Sequence, residues 1–200
     1  MNLTRPRPCR EVRALFDEST ITVYQAYSPA IAWAAVAAQT FVSPFKTDRM
    51  SWIKPSFLWM MYRSGWATKP GQERVLAIRI TRAGFETALA GAVLSHYESG
   101  LYADRGQWLE RKTASPVRIQ WDPERDLALN PLPWRSLQMG LSGSALRGYL
   151  DEWIIAIADI TDDVHALRDH PDPAGIPAEE PYPLSEDIAA TIGADDSVRE

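Results

Sequence analysis

Cysteine is nearly missing from this sequence: Cys9 is the only one in 200 residues. A single thiol cannot close an intramolecular disulfide, so the fold must rest on its core, as expected in a reducing compartment. Set in an Arg- and Pro-rich stretch, Cys9 reads as an incidental thiol rather than a nucleophile. Long apolar runs are lacking too. No segment approaches the roughly 18–20 residues that span a bilayer, and Met1 to Arg13 is positively charged without an apolar stretch behind it, unlike a secretory leader. These absences predict a cytoplasmic protein with no membrane partner. His96, His165 and His170 lack ligand spacing, and with one cysteine they make no metal set. Neither a Gly-x-Ser-x-Gly elbow nor a glycine fingerprint behind a strand is present. That argues against a standard serine hydrolase and a Rossmann dinucleotide site.

What is present is an ordinary apolar fraction of 46% and eight tryptophans, many for this length. The expected organisation is an N-terminal arm over 1–13, one globular domain over 14–168 and an acidic, Pro-rich, disordered tail over 169–200. The net charge of −5 hides an asymmetry. Lys46, Arg49, Lys54, Arg63, Lys69, Arg74, Arg79 and Arg82 crowd one stretch against Asp48 and Glu73, whereas acids dominate beyond Arg168. A solvated basic face and a phosphate-bearing ligand both account for that stretch.

Periodicity predicts strands over Thr20–Tyr27, Met50–Ile53, Arg74–Thr81 and Pro116–Trp121, the third with a dense apolar centre suited to a sheet interior. Helices are expected after Ser28-Pro29, from Pro55 to Arg63 with Gly65 as terminator, over Phe85–Leu94 and over Ala145–Ile157. The stretch from Glu98 to Ser115 reads as irregular, and Asp122-Pro123 as the end of the fourth strand, followed by a loop. The fold class is therefore α+β, a mixed sheet of at least four strands with flanking helices.

Candidate chemistry concentrates between Arg49 and Trp66. On the helix begun at Pro55, Ser56, Trp59 and Arg63 share a face, and aromatics occupy more than one side. Core packing or a wall that stacks a flat ring would each produce this surplus. Arg49 and Lys54 flank the short strand, where cations beside aromatics suit a ligand joining phosphate to a planar base. Tyr24, Gln25 and Tyr27 lie near the end of the first strand, and the Gln25 amide can both donate and accept, as recognition of an amide or base edge requires. Asp122 or Glu124 is a candidate catalytic carboxylate in a segment that also reads as a turn; Gln72-Glu73 is a weaker one.

Four segments carry a resemblance: Tyr24 to Pro29, Arg49 to Trp66, Gln72 to Arg79 and Gln120 to Arg125. Together they resemble the family called domain of unknown function 4291, over roughly Arg10 to Thr161. In layout alone, the opening strand, helix, strand, aromatic helix and strand are similar to the start of the ADP-ribosyltransferase fold. That similarity implies Gln25 at the nicotinamide half of NAD, Tyr62 stacked on the ring, and Glu124 as the carboxylate beside ribose. Gln25 departs from the more usual His or Arg, and Glu124 lies just past the expected strand.

Two functions follow as expectations. One is an NAD-using ADP-ribosyltransferase-like enzyme acting on a nucleic acid or small molecule. In it Glu124 and Gln25 are catalytic, Tyr62 or Trp52 stacks, Arg49 and Lys54 meet the pyrophosphate, and Tyr24, Tyr27, Ser56 and Arg63 complete the cofactor site. The other is a non-catalytic binder of nucleotide or single-stranded nucleic acid through the same cations and aromatics.

Overall fold

Strand β1 (Arg13–Ala14) leads into β2 (Thr20–Tyr27) and helix α1 (Pro29–Ala38) in the computed structural model, which describes residues 7–195. Next come β3 (Ser51–Ile53), α2 (Phe57–Ser64), β4 (Arg74–Thr81) and α3 (Arg82–Ala90). They are followed by β5 (Val93–Leu94), α4 (Arg105–Ala114), β6 (Val117–Arg125) and β7 (Pro131–Leu141). Helix α5 (Gly143–Gly148) passes through a π turn at Tyr149–Trp153 into β8 (Ile154–Asp159), followed by α6 (Thr161–Asp169), β9 (Glu180–Pro181) and α7 (Glu186–Ile192). Parts of the expected arm (1–6) and tail (196–200) lie outside the described residues.

The architecture is α+β. Strands β2, β4 and β8 form a three-stranded antiparallel sheet with β4 in its interior, where Val75, Leu76, Ile78 and Ile80 are all buried. Strands β3, β7, β6 and β5 form a four-stranded mixed sheet, parallel only between β5 and β6. One face of the first sheet packs Ile21, Val23, Leu76 and Ile78 into the main core; the other carries a smaller cluster around Tyr24, Phe57, Met61, Val75 and Val164.

Several elements differ from the sequence expectation. Strand β6 runs through Asp122-Pro123 because β5 pairs only with Arg118 and Ile119; past that point the missing Pro123 N–H faces no strand on that side. Strand β7 occupies the expected loop, its prolines confined to its first residues. Helix α3 stops at Gly91, and Val93–Leu94 become a strand. Asp104, whose side chain accepts from the Gln107 N–H at 2.8 Å, starts α4 in the stretch read as irregular.

The expected helix to Ile157 ends at Trp153, and the β-branched run that follows pairs with β4 instead. Trp153 lodges against Gly84 of α3 and Gly148 of α5. A Cβ on Gly84 would overlap that indole ring. Helix propensity alone favours Gly84→Ala by about 1 kcal/mol; the overlap reverses the sign. Denaturation in urea is expected to show a loss of about 1–3 kcal/mol, and a gain would mean that the slot opens freely.

The segment read as a disordered tail is folded through residue 195. Strand β9 pairs with β1, with Arg13 opposite Pro181. Tyr182 sits edge-on to Phe16 and Phe85 and donates to Glu86 Oε1 at 2.5 Å. Ile192 is fully buried, and its carbonyl accepts from Trp121 Nε1 at 2.8 Å. A few well-spaced apolar residues fill slots on the domain, which average composition conceals.

Candidate functional site

The three- and four-stranded sheets are joined by an isolated backbone bridge. Tyr24 and Lys54 exchange backbone hydrogen bonds of 2.7 and 3.2 Å, an isolated bridge between β2 and the end of β3. Towards Tyr27 the pairing does not continue. There the Trp52 carbonyl accepts from Gln25 Nε2 at 3.0 Å, and the same amide lies 3.0 Å from Ser51 Oγ and 2.8 Å from Tyr27 Oη. Gln25 Oε1 accepts from Tyr149 Oη at 2.9 Å. The Gln25 amide is therefore a buried strut in the seam, with both ends occupied.

Beside this seam opens a cleft of about 340 Å³. Tyr27, Phe45, Trp52 and Trp59 supply aromatic walls, and the exposed Lys46, Arg49 and Arg63 supply charge. Gln72, ahead of β4, and Gln138, on β7, line it as well. No carboxylate does, and none of these three cations forms a salt bridge among the described residues. Burial pushes the Tyr27 hydroxyl's pKa up, while its bond to Ser51 and the nearby Arg49 charge act against that shift. Gly140 on β7 gives Met50 and Trp52 room to lie across the strand, since a Cβ there would sit 2.5 Å from Met50 Sδ and 3.0 Å from Trp52 Cη2.

Behind Trp59 lies a second polar group. Lys54 is fully buried, with Nζ 3.2 Å from both Asp122 Oδ2 and the Ser136 carbonyl and 4.1 Å from the centre of the Trp59 ring. Burial pulls its pKa down to about 8, against the opposing pull of Asp122 and Glu124. Ser56 caps α2 by accepting from the Trp59 N–H, and its hydroxyl donates to Glu124 Oε1 at 2.8 Å. The Phe57 N–H, another free donor of that helix start, goes to Glu179 Oε1 at 2.6 Å. Burial pushes the Glu179 carboxyl up to about 8; the Phe57 N–H opposes this and the charge of Glu124 adds to it. Glu124 and Glu179 line a small cavity of about 250 Å³ with Arg7, Arg13 and Arg125.

The residues named from sequence thus separate. Gln25, Tyr27, Arg49, Trp52 and Arg63 come together at the cleft. Lys54, Ser56 and Glu124 belong to the group behind it, so Lys54 is not placed to meet a phosphate in the cleft. Tyr24 is buried on the other sheet face against Phe57, and Tyr62 stacks under the Arg125 guanidinium, 3.6 Å from its ring centre. Sequence reading missed Gln138 and Glu179. The alternation through Ser136, Leu137, Gln138, Met139 and Gly140 would have shown Gln138 as a strand residue, but the prolines ahead of it read as a loop. Glu179 had no local signal in a run of acids and prolines.

A family model described as a domain of unknown function (DUF4291) matches residues 11–182. The chain belongs to that family. The DUF4291 span opens just before β1 and closes at Tyr182, so it takes in both sheets, the cleft and Glu179. No match was found among curated proteins. Among the described residues of this DUF4291 chain, no helix is long and apolar enough to cross a membrane, and no three His, Cys, Asp or Glu side chains are grouped to share a metal ion. A larger groove of about 860 Å³ lies over the alanine-floored face of the first sheet, between Ala77, Ala156, Ala158 and α6. Its lining sets Arg79, Tyr24 and Phe57 beside the carboxylates Asp163 and Asp172, so it offers an anion less than the cleft does.

Proposed function

We propose that the cleft binds a nucleotide-type small molecule, a planar ring joined to phosphate, and that it does so without catalysing glycosyl transfer. One observation carries this reading: three cations without carboxylate partners among the described residues stand beside four aromatic rings in a cavity with no described acid in its lining. Such a field attracts an anion, and the rings offer a stacking surface. The volume of about 340 Å³ is at the small end of ordinary ligand sites. That favours one nucleotide over a complete dinucleotide or a long strand.

The transferase alternative fits less well. Breaking the glycosidic bond of NAD builds positive charge on ribose, which a carboxylate must stabilise. Glu124 instead lines the separate small cavity, bonded to Ser56. Gln25, the residue expected to hold the nicotinamide amide, has its own amide occupied by Trp52, Ser51, Tyr27 and Tyr149.

The test is calorimetric and thermal-shift titration with AMP, ADP, NAD and a short oligonucleotide. A ligand at 100 times its dissociation constant stabilises the fold by about 2.7 kcal/mol. Arg49→Ala is expected to weaken the bound nucleotide about tenfold or more, the worth of a charge-assisted hydrogen bond. Silence towards every nucleotide, or release of nicotinamide from NAD, would overturn the proposal.

A further inference from the structure

Three side-chain amides line the cleft, and only one is occupied. Gln25 is held on both ends inside the seam. Gln72 and Gln138 are half-buried and make no side-chain hydrogen bond among the described residues. Gln138 is the more firmly placed. Its backbone pairs with Gln120 in the sheet interior, and the next two residues of β7 pair with β3, Met139 with Ile53 and Gly140 with Trp52. Trp52 and Gly140 are direct partners, and Gln138 is two residues away on the same face. The indole of Trp52 reaches across the bare Cα of Gly140. A rigid strand therefore presents a flat two-ring surface and an unoccupied carboxamide side by side.

A carboxamide offers a donor and an acceptor at adjacent positions. Adenine presents the matching pair, an exocyclic amino group beside a ring nitrogen, and glutamine is a recurrent bidentate partner of that edge. Guanine places two N–H donors side by side, a pair that suits a carboxylate, and none lines the cleft; cytosine shows the same amino-and-nitrogen pair as adenine, but on a single ring that covers less of the Trp52 indole. We propose that Gln138 reads the edge of an adenine ring stacked beside Trp52, so that the ligand is an adenine nucleotide whose phosphate meets Arg49. The inference rests on the nucleotide reading of the cleft and narrows it to one base.

The experiment compares AMP with inosine monophosphate, in which a carbonyl replaces the amino group. CMP and a short dA oligonucleotide are run beside them, by calorimetry on the full chain. Wild-type protein is expected to bind AMP about tenfold tighter than inosine monophosphate. Gln138→Leu should bring that ratio close to one with an unchanged melting temperature, while Arg49→Ala weakens both ligands alike and keeps the ratio. A dA oligonucleotide that outcompetes AMP and loses its advantage in Gln138→Leu places the adenine in a single strand and supports the inference. A ratio that survives Gln138→Leu, or CMP bound as tightly as AMP, overturns it. Equal binding of AMP and inosine monophosphate, both weakened by Arg49→Ala, sinks adenine recognition and leaves nucleotide binding standing. No binding of any of them sinks both.

Discussion

Lys54→Ala is expected to destabilise the fold by about 3–5 kcal/mol, the usual result of removing one partner from a buried ion pair. The lysine side chain is wholly inaccessible, and Asp122 is only 8% exposed. Without the ammonium, Asp122 keeps the Gln120 amide at 2.7 Å as its side-chain partner, and the Ser136 carbonyl loses its side-chain donor. A void against the Trp59 ring adds to the penalty. Urea denaturation should show a lowered midpoint at constant slope. Lys54→Met combined with Asp122→Leu should recover most of the stability, because replacing a buried pair with apolar groups of similar size is often neutral. A single-variant loss below about 1 kcal/mol would mean that the pair is solvated in solution.

Stability is expected to fall as pH rises from about 5 towards 8, and Glu179→Gln should flatten that decline. The Glu179 carboxyl titrates at about 8 in the folded chain, against an ordinary value of 4.5. Between these values the folded state holds a proton that the unfolded state has released, so raising the pH favours unfolding, by up to about 1.4 kcal/mol per pH unit. The charged groups acting on this carboxyl are Glu124 of β6, Arg13 of β1 and Lys54, and Tyr24 is coupled to it from β2. Lys54 acts in the opposite sense at higher pH. Its folded value of about 8 lies below its ordinary 10.5, so the unfolded chain holds the extra proton and stability recovers as pH climbs between them. The two limbs put a minimum near pH 8. Denaturation midpoints measured from pH 5 to 10 test this, and a wild-type curve that is level or rising between 5 and 8 would show that Glu179 is ionised throughout.

The sequence alone determined those elements whose signals are local. Alternation and β-branched content placed β2 and β4, and the dense apolar centre of β4 marked it as an interior strand. Ser28-Pro29 and Gly65 marked helix ends, because such signals are local, although α2 starts at Phe57 with Ser56 as its cap and not at the expected Pro55. The motifs from Tyr24 to Pro29 and Arg49 to Trp66 carried the DUF4291 resemblance, and five of the named residues do converge on one cleft.

Tertiary structure decided the rest. Ile154 to Ile157 continue a helical stripe in sequence, yet they pair with β4, because β-branched residues suit a strand and the edge of that sheet supplies partners for their backbone. Pro131 and Pro133 suggested a loop where β7 begins, and a proline is tolerated there only because it lies at the end of a strand. The tail from 169 onward reads as disordered by average composition, yet Tyr182 and Ile192 pack on residues 71 or more positions away. The same distance in sequence separates the site's own parts. No local pattern shows that Gln25 will be a strut with both ends occupied, that Lys54 will be enclosed by Asp122 and Ser136, or that Gln138 will be left with a free amide. Those are facts about partners, and the partners come from strands brought together only when the sheets form.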